Sequence, residues 1–458
     1  MSLDTLAFLL LFMVAYVGAR LAPAPGWPLL VASIVSYAFA GAFDTALFAA
    51  VILVNYLLAL RMCAGATRTL VLAVAFNVGV LAAFKYRNFL FGLDPASGSF
   101  AASIAIPLGI SFYSFQSIAY LVDIYRGEIA AERSLVRFAL FKSFFPQLIA
   151  GPIVRANLLL PQVHRLFAGS LRPSRLVCAC LLLCLAGLVK KVMLADNLAP
   201  HVDDIFNRGP AGMATAWLGV WLFAFQIYLD FSGYSDIAVG MARLMGVRLP
   251  VNFKTPYLAT SPREFWQRWH ITLSTWIRDY PYVALGGSRA GGAGRQVLVL
   301  VVVMGLAGLW HGANWTFLAW GILWGMVIAA WRPLAKFWTT MPAWAGWLAT
   351  LLIVLVLWVF FRAPDIAFAG RYIGAMLGLG GLGPVSYTNT AATGALAGVG
   401  AAALLGLHGL ERWAHAPGRV WRLRQIEGPF ARGLLIGLIL WLLAMPKTNL
   451  NPFIYFRF

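Results

Sequence analysis

Apolar residues along this chain come in long runs, not in the short alternating stretches of a sheet protein. A helix that crosses a bilayer needs about 20 largely apolar residues. Runs of that character, some a little short, occur at Leu6–Gly18, Trp27–Ala40, Ala46–Leu60, Leu70–Phe84, Leu176–Leu194 and Met213–Tyr228. They continue at Val297–Leu309, Thr316–Trp331, Ala345–Phe361, Ala367–Leu377, Ala391–Leu407 and Gly433–Met445. The pattern predicts an all-α, multi-pass membrane protein. The first run is expected to stay as a permanent span: no Lys or Arg precedes Arg20, and Asp4 sits where a leader would carry positive charge.

The departures from this pattern carry the interest. Ile104–Ile124 holds Pro107 and Gly109 at its start and Ser111, Tyr113, Ser114, Gln116 and Ser117 along it. It should face a cavity or other helices. Leu135–Ile149 runs into Phe144–Arg155 (FFPQLIAGPIVR), whose prolines, glycine and Gln147 predict a broken or re-entrant helix. Asn157–Ser174 reads as interfacial. Met213–Tyr228 runs into Leu229–Gly240, where Asp230 and Asp236 lie in apolar sequence and Gly233 allows a turn or a close helix approach. Thr260–Tyr280 reads as one amphipathic helix, capped by Ser261 with Pro262 at its first position. Trp266, Trp269, His270, Leu273 and Trp276 follow helical spacing on its apolar side. Gly-rich Leu377–Asn389, a basic stretch from Arg412 to Arg432 and an aromatic end at Phe453–Phe458 complete the chain.

Composition sharpens this. The chain is 61% hydrophobic and 11% charged, against about 25% charged in a soluble domain. No long polar linker divides it, so residues 1–458 read as one membrane domain. The net charge of +19 sits between and at the ends of apolar runs, as expected beside anionic headgroups, and does not point to nucleic acid. Lys190 and Lys191 are expected near a cytoplasmic boundary. Cys63, Cys178, Cys180 and Cys184 lack a CxxC spacing and read as small buried hydrophobes, with no metal or redox site.

An ionisable side chain at membrane depth is a functional-site hypothesis. His311 sits in Gly308–Trp315 (GLWHGANW), bracketed by Gly308 and Gly312, with Trp310 and Asn314 beside it. It is either a buried imidazole satisfied by backbone or Asn314, or a neutral base able to deprotonate a hydroxyl. His270 is either packed or orients a reacting group. Asp230 and Asp236 need partners, with Arg243, Arg248 and Lys254 as candidates. His201 lies with Asp203 and Asp204 in what reads as a solvated loop, and His164, His408 and His415 have no polar constellation around them in sequence. There is no nucleophile elbow, P-loop or dinucleotide fingerprint.

Together these segments resemble the membrane-bound O-acyltransferase family, most of all its bacterial branch serving alginate O-acetylation and teichoic-acid D-alanylation. The resemblance rests on IPLGIS (Ile106–Ser111), FFPQLIAGPIVR (Phe144–Arg155), DFSGYSD (Asp230–Asp236) and Asn252–Tyr257. It rests further on EFWQRWHITLSTWIRDY (Glu264–Tyr280), GGSR (Gly286–Arg289) and GLWHGANW. It covers most of the chain, with a motif-dense core over 104–331.

The resemblance implies a ring of roughly 11 or more transmembrane helices around a central funnel where broken and re-entrant helices meet. It implies catalysis by His311, with His270 lining the tunnel. Further tunnel candidates are Asn314, Trp310, Asp236, Asp230, Trp269, Ser274, Tyr234, Gln147 and Arg155. The implied activity is O-acyl transfer, foremost acetyl transfer from acetyl-CoA to an extracytoplasmic polysaccharide such as alginate. No bound cofactor or metal is expected. A bacterial inner-membrane location and a periplasmic esterase-like partner complete the expectation. Transfer of D-alanine or another acyl group is the alternative within the family; a transporter or a scaffold of a polysaccharide pathway is the alternative outside it.

Overall fold

The structure, a computed structural model, describes residues 5–93, 105–148, 151–289, 291–381, 406 and 427–444. Among these residues the chain is helical and no strand occurs. Among the described residues, seven helices are long and apolar enough to cross a membrane: Ala42–Leu60, Thr67–Phe91, Val177–Arg208, Met213–Leu244, Ala293–His311, Trp315–Thr340 and Ala343–Arg362. Leu6–Leu21, Gly26–Ala38 and Pro429–Ala444 are apolar but shorter.

In chain order the main helices are α1 (Leu6–Leu21), α2 (Gly26–Ala38), α3 (Ala42–Leu60), α4 (Thr67–Leu81), α5 (Ile110–Tyr125) and α6 (Leu135–Ser143). There follow α7 (Ala156–Phe167), α8 (Val177–Leu188), α9 (Asp196–Arg208), α10 (Met213–Leu244), α11 (Pro262–Arg268) and α12 (Ile271–Ile277). The last are α13 (Ala293–His311), α14 (Trp315–Thr340), α15 (Ala343–Arg362), α16 (Ile366–Met376) and α17 (Pro429–Ala444). Two compact units emerge. Among the described residues, the first comprises 5–93, 105–148, 151–188, 234–251 and 427–444; the second comprises 189–233, 252–289, 291–381 and 406.

In the first unit α1 packs on α2, α2 on α6, α4 on α5, α6 on α7 and α8 on α17. Gly109 starts α5 with φ +71°, which explains the Pro-Leu-Gly entry. α6 stops at Phe144 before a four-residue helical turn at Phe145–Leu148, the break expected from FFPQ. Two buried charged groups of this unit are held by hydrogen bonds. Lys142 Nζ donates to Tyr113 O (2.6 Å) and Ser117 Oγ (2.8 Å). Glu132 accepts from the Ser134 amide and from Arg137 and meets the His164 ring. Burial alone would raise the Glu132 carboxyl, but these hydrogen bonds outweigh it and hold the group below its ordinary range.

In the second unit α13 packs on α14, α14 on α15, and α15 on α16. The α13–α14 hairpin is close because glycines line its contact. A Cβ on Gly308 would lie 2.1 Å from Phe317 O, and one on Gly321 would lie 2.1 Å from Met304 O.

Several expectations are corrected. α10 runs unbroken over 32 residues, so Gly233 makes no turn; the intrahelical hydrogen bonds continue through it. The segment expected as one amphipathic helix over 260–280 is divided into α11 and α12 at Trp269–His270. His201, Asp203 and Asp204 lie on helix α9, not in a loop. Asp203 pairs with Arg362 (2.7 Å) and Asp204 with Arg208 (2.8 Å). His164, expected to stand apart, meets Glu132. α16 has 11 residues, a rise of about 16 Å, too short to span the hydrocarbon core of about 30 Å. The expected span at 391–407 apart from Gly406, nearly all of the basic stretch, His408, His415 and the aromatic end lie outside the described residues.

Candidate active site

The site grows from the break between α11 and α12. Ser261 caps α11 by accepting from the Glu264 amide (3.2 Å), with Pro262 at the first turn. Glu264 holds Arg268 (2.6 Å) one turn on. The helix then ends, because Trp269 turns extended and His270 takes φ +41°, ψ +54°. Left-handed backbone is costly for a residue with a Cβ, and such strain concentrates at functional positions.

The backbone groups freed by the break are taken up by the segment after α10. The Ile271 amide donates to Asn252 O (2.9 Å), and the Lys254 amide donates to Arg268 O (2.9 Å). Asn252 Oδ1 accepts from the Thr272 amide (3.2 Å), from Thr272 Oγ1 (2.9 Å) and from His270 Nδ1 (3.1 Å). A backbone amide only donates, so the atom it meets is the side-chain oxygen, and His270 Nδ1 must carry the hydrogen. Nε2 is thereby left with its lone pair. His270 has no exposed surface, and burial pushes its imidazole well below the ordinary histidine range. The ring is held neutral, in one tautomer, with Nε2 as proton acceptor.

His311 is the last residue of α13, and Gly312 ends that helix in an extended conformation. Asn314 then caps α14, its Oδ1 accepting from the Thr316 amide (3.1 Å). The glycine bracket serves the hairpin: a Cβ on Gly312 would lie 2.2 Å from the Phe317 ring. His311 is 3% exposed. Its ring stands edge-on to Trp320 (5.1 Å) and Phe361 (5.1 Å). Trp310 joins the two histidines: its indole centroid lies 4.9 Å from His311 and 6.0 Å from His270. Phe231 packs edge-on to His270 at 4.6 Å.

The structure therefore brings His270, His311, Trp310 and Trp269 into one aromatic cluster, Trp269 through Phe253 and Trp358. Ser274 braces the break, its hydroxyl donating to Trp269 O (3.1 Å) and its amide to His270 O (2.9 Å). Asn314 donates its amide to Pro364 O (3.0 Å) while its oxygen caps α14. Asp230 is corrected as to partner. Lys191 Nζ lies 2.7 Å from both Asp230 and Asp196. Lys191 is 1% exposed and sits in a π-helical turn, Val189–Ala195.

Tyr234, Asp236, Gln147 and Arg155 belong to the first unit. There Tyr234 and Gln147 are buried and Asp236 and Arg155 half-buried. Sequence reasoning missed Asn252 and Lys191. The signal for Asn252 was its place in the Asn-Phe-Lys-Thr-Pro-Tyr motif; Lys191 gave none beyond its apolar surroundings.

The fold and site define a multi-pass membrane protein with two buried imidazoles in an aromatic cluster. The family model for MBOAT, the membrane-bound O-acyltransferase family, matches residues 29–364, and the chain belongs to that family and is an acyltransferase. It is 42% identical over 375 residues to a probable alginate O-acetylase of Pseudomonas putida, covering 77% of this chain and 74% of the relative. A peptidoglycan O-acetyltransferase of Helicobacter pylori is 35% identical over 394 residues, covering 77% and 74%. A teichoic acid D-alanyltransferase of Streptococcus thermophilus is 28% identical over 247 residues, covering 48% and 55%.

Proposed function

We propose that this protein is a bacterial inner-membrane O-acetyltransferase that passes an acetyl group from cytoplasmic acetyl-CoA toward an extracytoplasmic polysaccharide, with alginate as the foremost acceptor. The observation that carries the reading is the pair of buried imidazoles on one indole, one of them held in a single tautomer, in a chain this similar to a probable alginate O-acetylase. A hydroxyl attacks a thioester poorly until a base takes its proton. In the proposed reaction the acyl C–S bond breaks, a C–O bond forms, and the hydroxyl proton passes through imidazole to the departing thiolate. His311 acts as the base or acyl-handling residue and His270 positions or polarises the reacting group. A periplasmic esterase-like partner completes transfer. The reading carries with it a single membrane domain over 1–458 and a ring of helices around a central funnel.

His311→Ala should lower acetylation of the polymer by about 100-fold or more, the usual range for a lost general base, while the protein remains in the membrane. Normal acetyl content with only this variant present would sink the proposal. Mass spectrometry of the polymer distinguishes the second reading, which rests on the teichoic acid D-alanyltransferase similarity. Acetyl esters add about 42 Da and alanyl esters about 71 Da.

A further inference from the structure

A cavity lies in the second unit, between the α11–α12 segment and the α13–α14 hairpin, with a volume near 360 Å³. Its walls are apolar: Trp266, Ile271, Leu300, Val303, Met304 and Ile328. Its rim carries Arg263, Arg278 and Arg332. Arg278 is paired with Asp279 (2.6 Å). The other two have no carboxylate partner among the described residues. Arg263 lies over the Trp331 ring (5.8 Å), and Arg332 donates to Tyr282 Oη (3.0 Å) and Gln296 Oε1 (3.4 Å).

The geometry sorts charge by depth. Gln296, the Arg332 partner, sits in the first turn of α13, and Met304 lies eight residues further along. At 1.5 Å per residue this places Met304 about 12 Å deeper. Arginines stand at the mouth and the interior is mostly hydrocarbon, with Ser274 and Thr275 also lining it. The outer face of α13 is also apolar and open, with Leu298, Val302 and Leu306 at 61%, 43% and 54% exposure. Both hairpin helices qualify as membrane spans, and at 3.6 residues per turn Leu300, Val303 and Met304 lie on the face of α13 turned away from those three, so the cavity is on the inner side of the helix.

We propose that this cavity binds a glycerophospholipid with a net-negative headgroup, drawn from the surrounding bilayer. The headgroup phosphate sits between Arg263 and Arg332, and the first part of one acyl chain enters between Met304 and Ile328. Basic pockets between membrane helices recognise anionic headgroups in this way. A zwitterionic lipid offers no net charge to two unpaired arginines.

The test uses the full chain, purified in mild detergent and titrated with phosphatidylglycerol or phosphatidylcholine of identical chains, with bound lipid read by native mass spectrometry. Phosphatidylglycerol should bind in preference to phosphatidylcholine. The double variant Arg263→Ala/Arg332→Ala should bind phosphatidylglycerol about 25-fold more weakly, from about fivefold per arginine near an anionic headgroup. Ile328→Trp, which fills the cavity and leaves its charge, should also weaken binding. Arg371→Ala, at an exposed arginine on α16, should not. Equal binding of the two lipids, or binding indifferent to both the arginine and the Ile328 variants, overturns the proposal. So does displacement of the lipid by free coenzyme A, which assigns the cavity to the donor. None of these readouts requires acyl transfer, so the outcome is separable from that of the His311 experiment.

Discussion

His270 occupies a backbone conformation that favours glycine, yet its imidazole is packed without exposed surface against Phe231, Phe253 and Trp310. The surroundings hold it there through Asn252, which satisfies three donors with one oxygen. This has a consequence for acid stability. Burial lowers the folded-state pKa of His270 below the unfolded value of 6.5, so the unfolded chain takes up the proton first as pH falls. The stabilisation is complete above pH 6.5 and declines below it, at most by about 1.4 kcal/mol per pH unit. Glu132, whose pKa is lowered from 4.5, contributes with the same sign but only at more acid pH. Thermal melting of the wild type should therefore drop between pH 6.5 and 5, and His270→Gln should flatten that slope. Parallel slopes for the two proteins would contradict a buried neutral imidazole.

At the scale of elements, the α13–α14 hairpin and the Lys191 turn make opposite demands. The hairpin depends on missing side chains. Gly321→Ala would bring a methyl 2.1 Å from Met304 O, backbone that cannot swing aside, so folded yield after membrane extraction should fall sharply. Gly294→Ala, with nothing within 4 Å, should leave it unchanged. The Lys191 turn depends on a full charge. Lys191→Met would remove the cation between two carboxylates and should cost about 3–5 kcal/mol, part of which Lys191→Met/Asp230→Asn should recover; thermal melting of the three proteins decides it. The two elements also differ in how far the sequence revealed them. The Gly-Leu-Trp-His-Gly run marks a close helix approach around a histidine within eight residues. The Lys191–Asp230 pair spans 39 positions and depends on a π-turn, which no hydrophobic period announces. The α11–α12 break was hidden for a related reason. Trp266, Trp269, Leu273 and Trp276 are all buried or half-buried on either side of it, so their spacing mimics one helix. What fixes the break is Asn252, outside the window in which periodicity is read.

Across the whole molecule, apolar exposure is the rule and not the exception, and it separates lipid-facing from inward-facing helices. Only 17% of the Thr67–Phe91 window is buried, against 78% of the Met213–Leu244 window. The first must face the bilayer, and the second supplies the buried carboxylate Asp230. α4 shows the division within two adjacent residues. Asn77 is fully buried and exchanges amide hydrogen bonds with Asn55 of α3 (2.7 and 3.3 Å). Val78, the next residue, is 50% exposed near the middle of the span. In a water-soluble protein Val78 would be the safe position for a charge. Here Val78→Asp places a carboxylate toward hydrocarbon, at a cost of about 2.5–3.5 kcal/mol near a span centre. Monodisperse protein recovered from membranes should fall for Val78→Asp and hold for Val78→Leu. Asn77→Leu should also lower recovery, because it removes the amide that donates to the buried Asn55 Oδ1, while Asn55 Nδ2 keeps only Val51 O (2.8 Å). Tolerance of Val78→Asp would mean that this face is wet, and the assignment of α4 to the lipid boundary would fail.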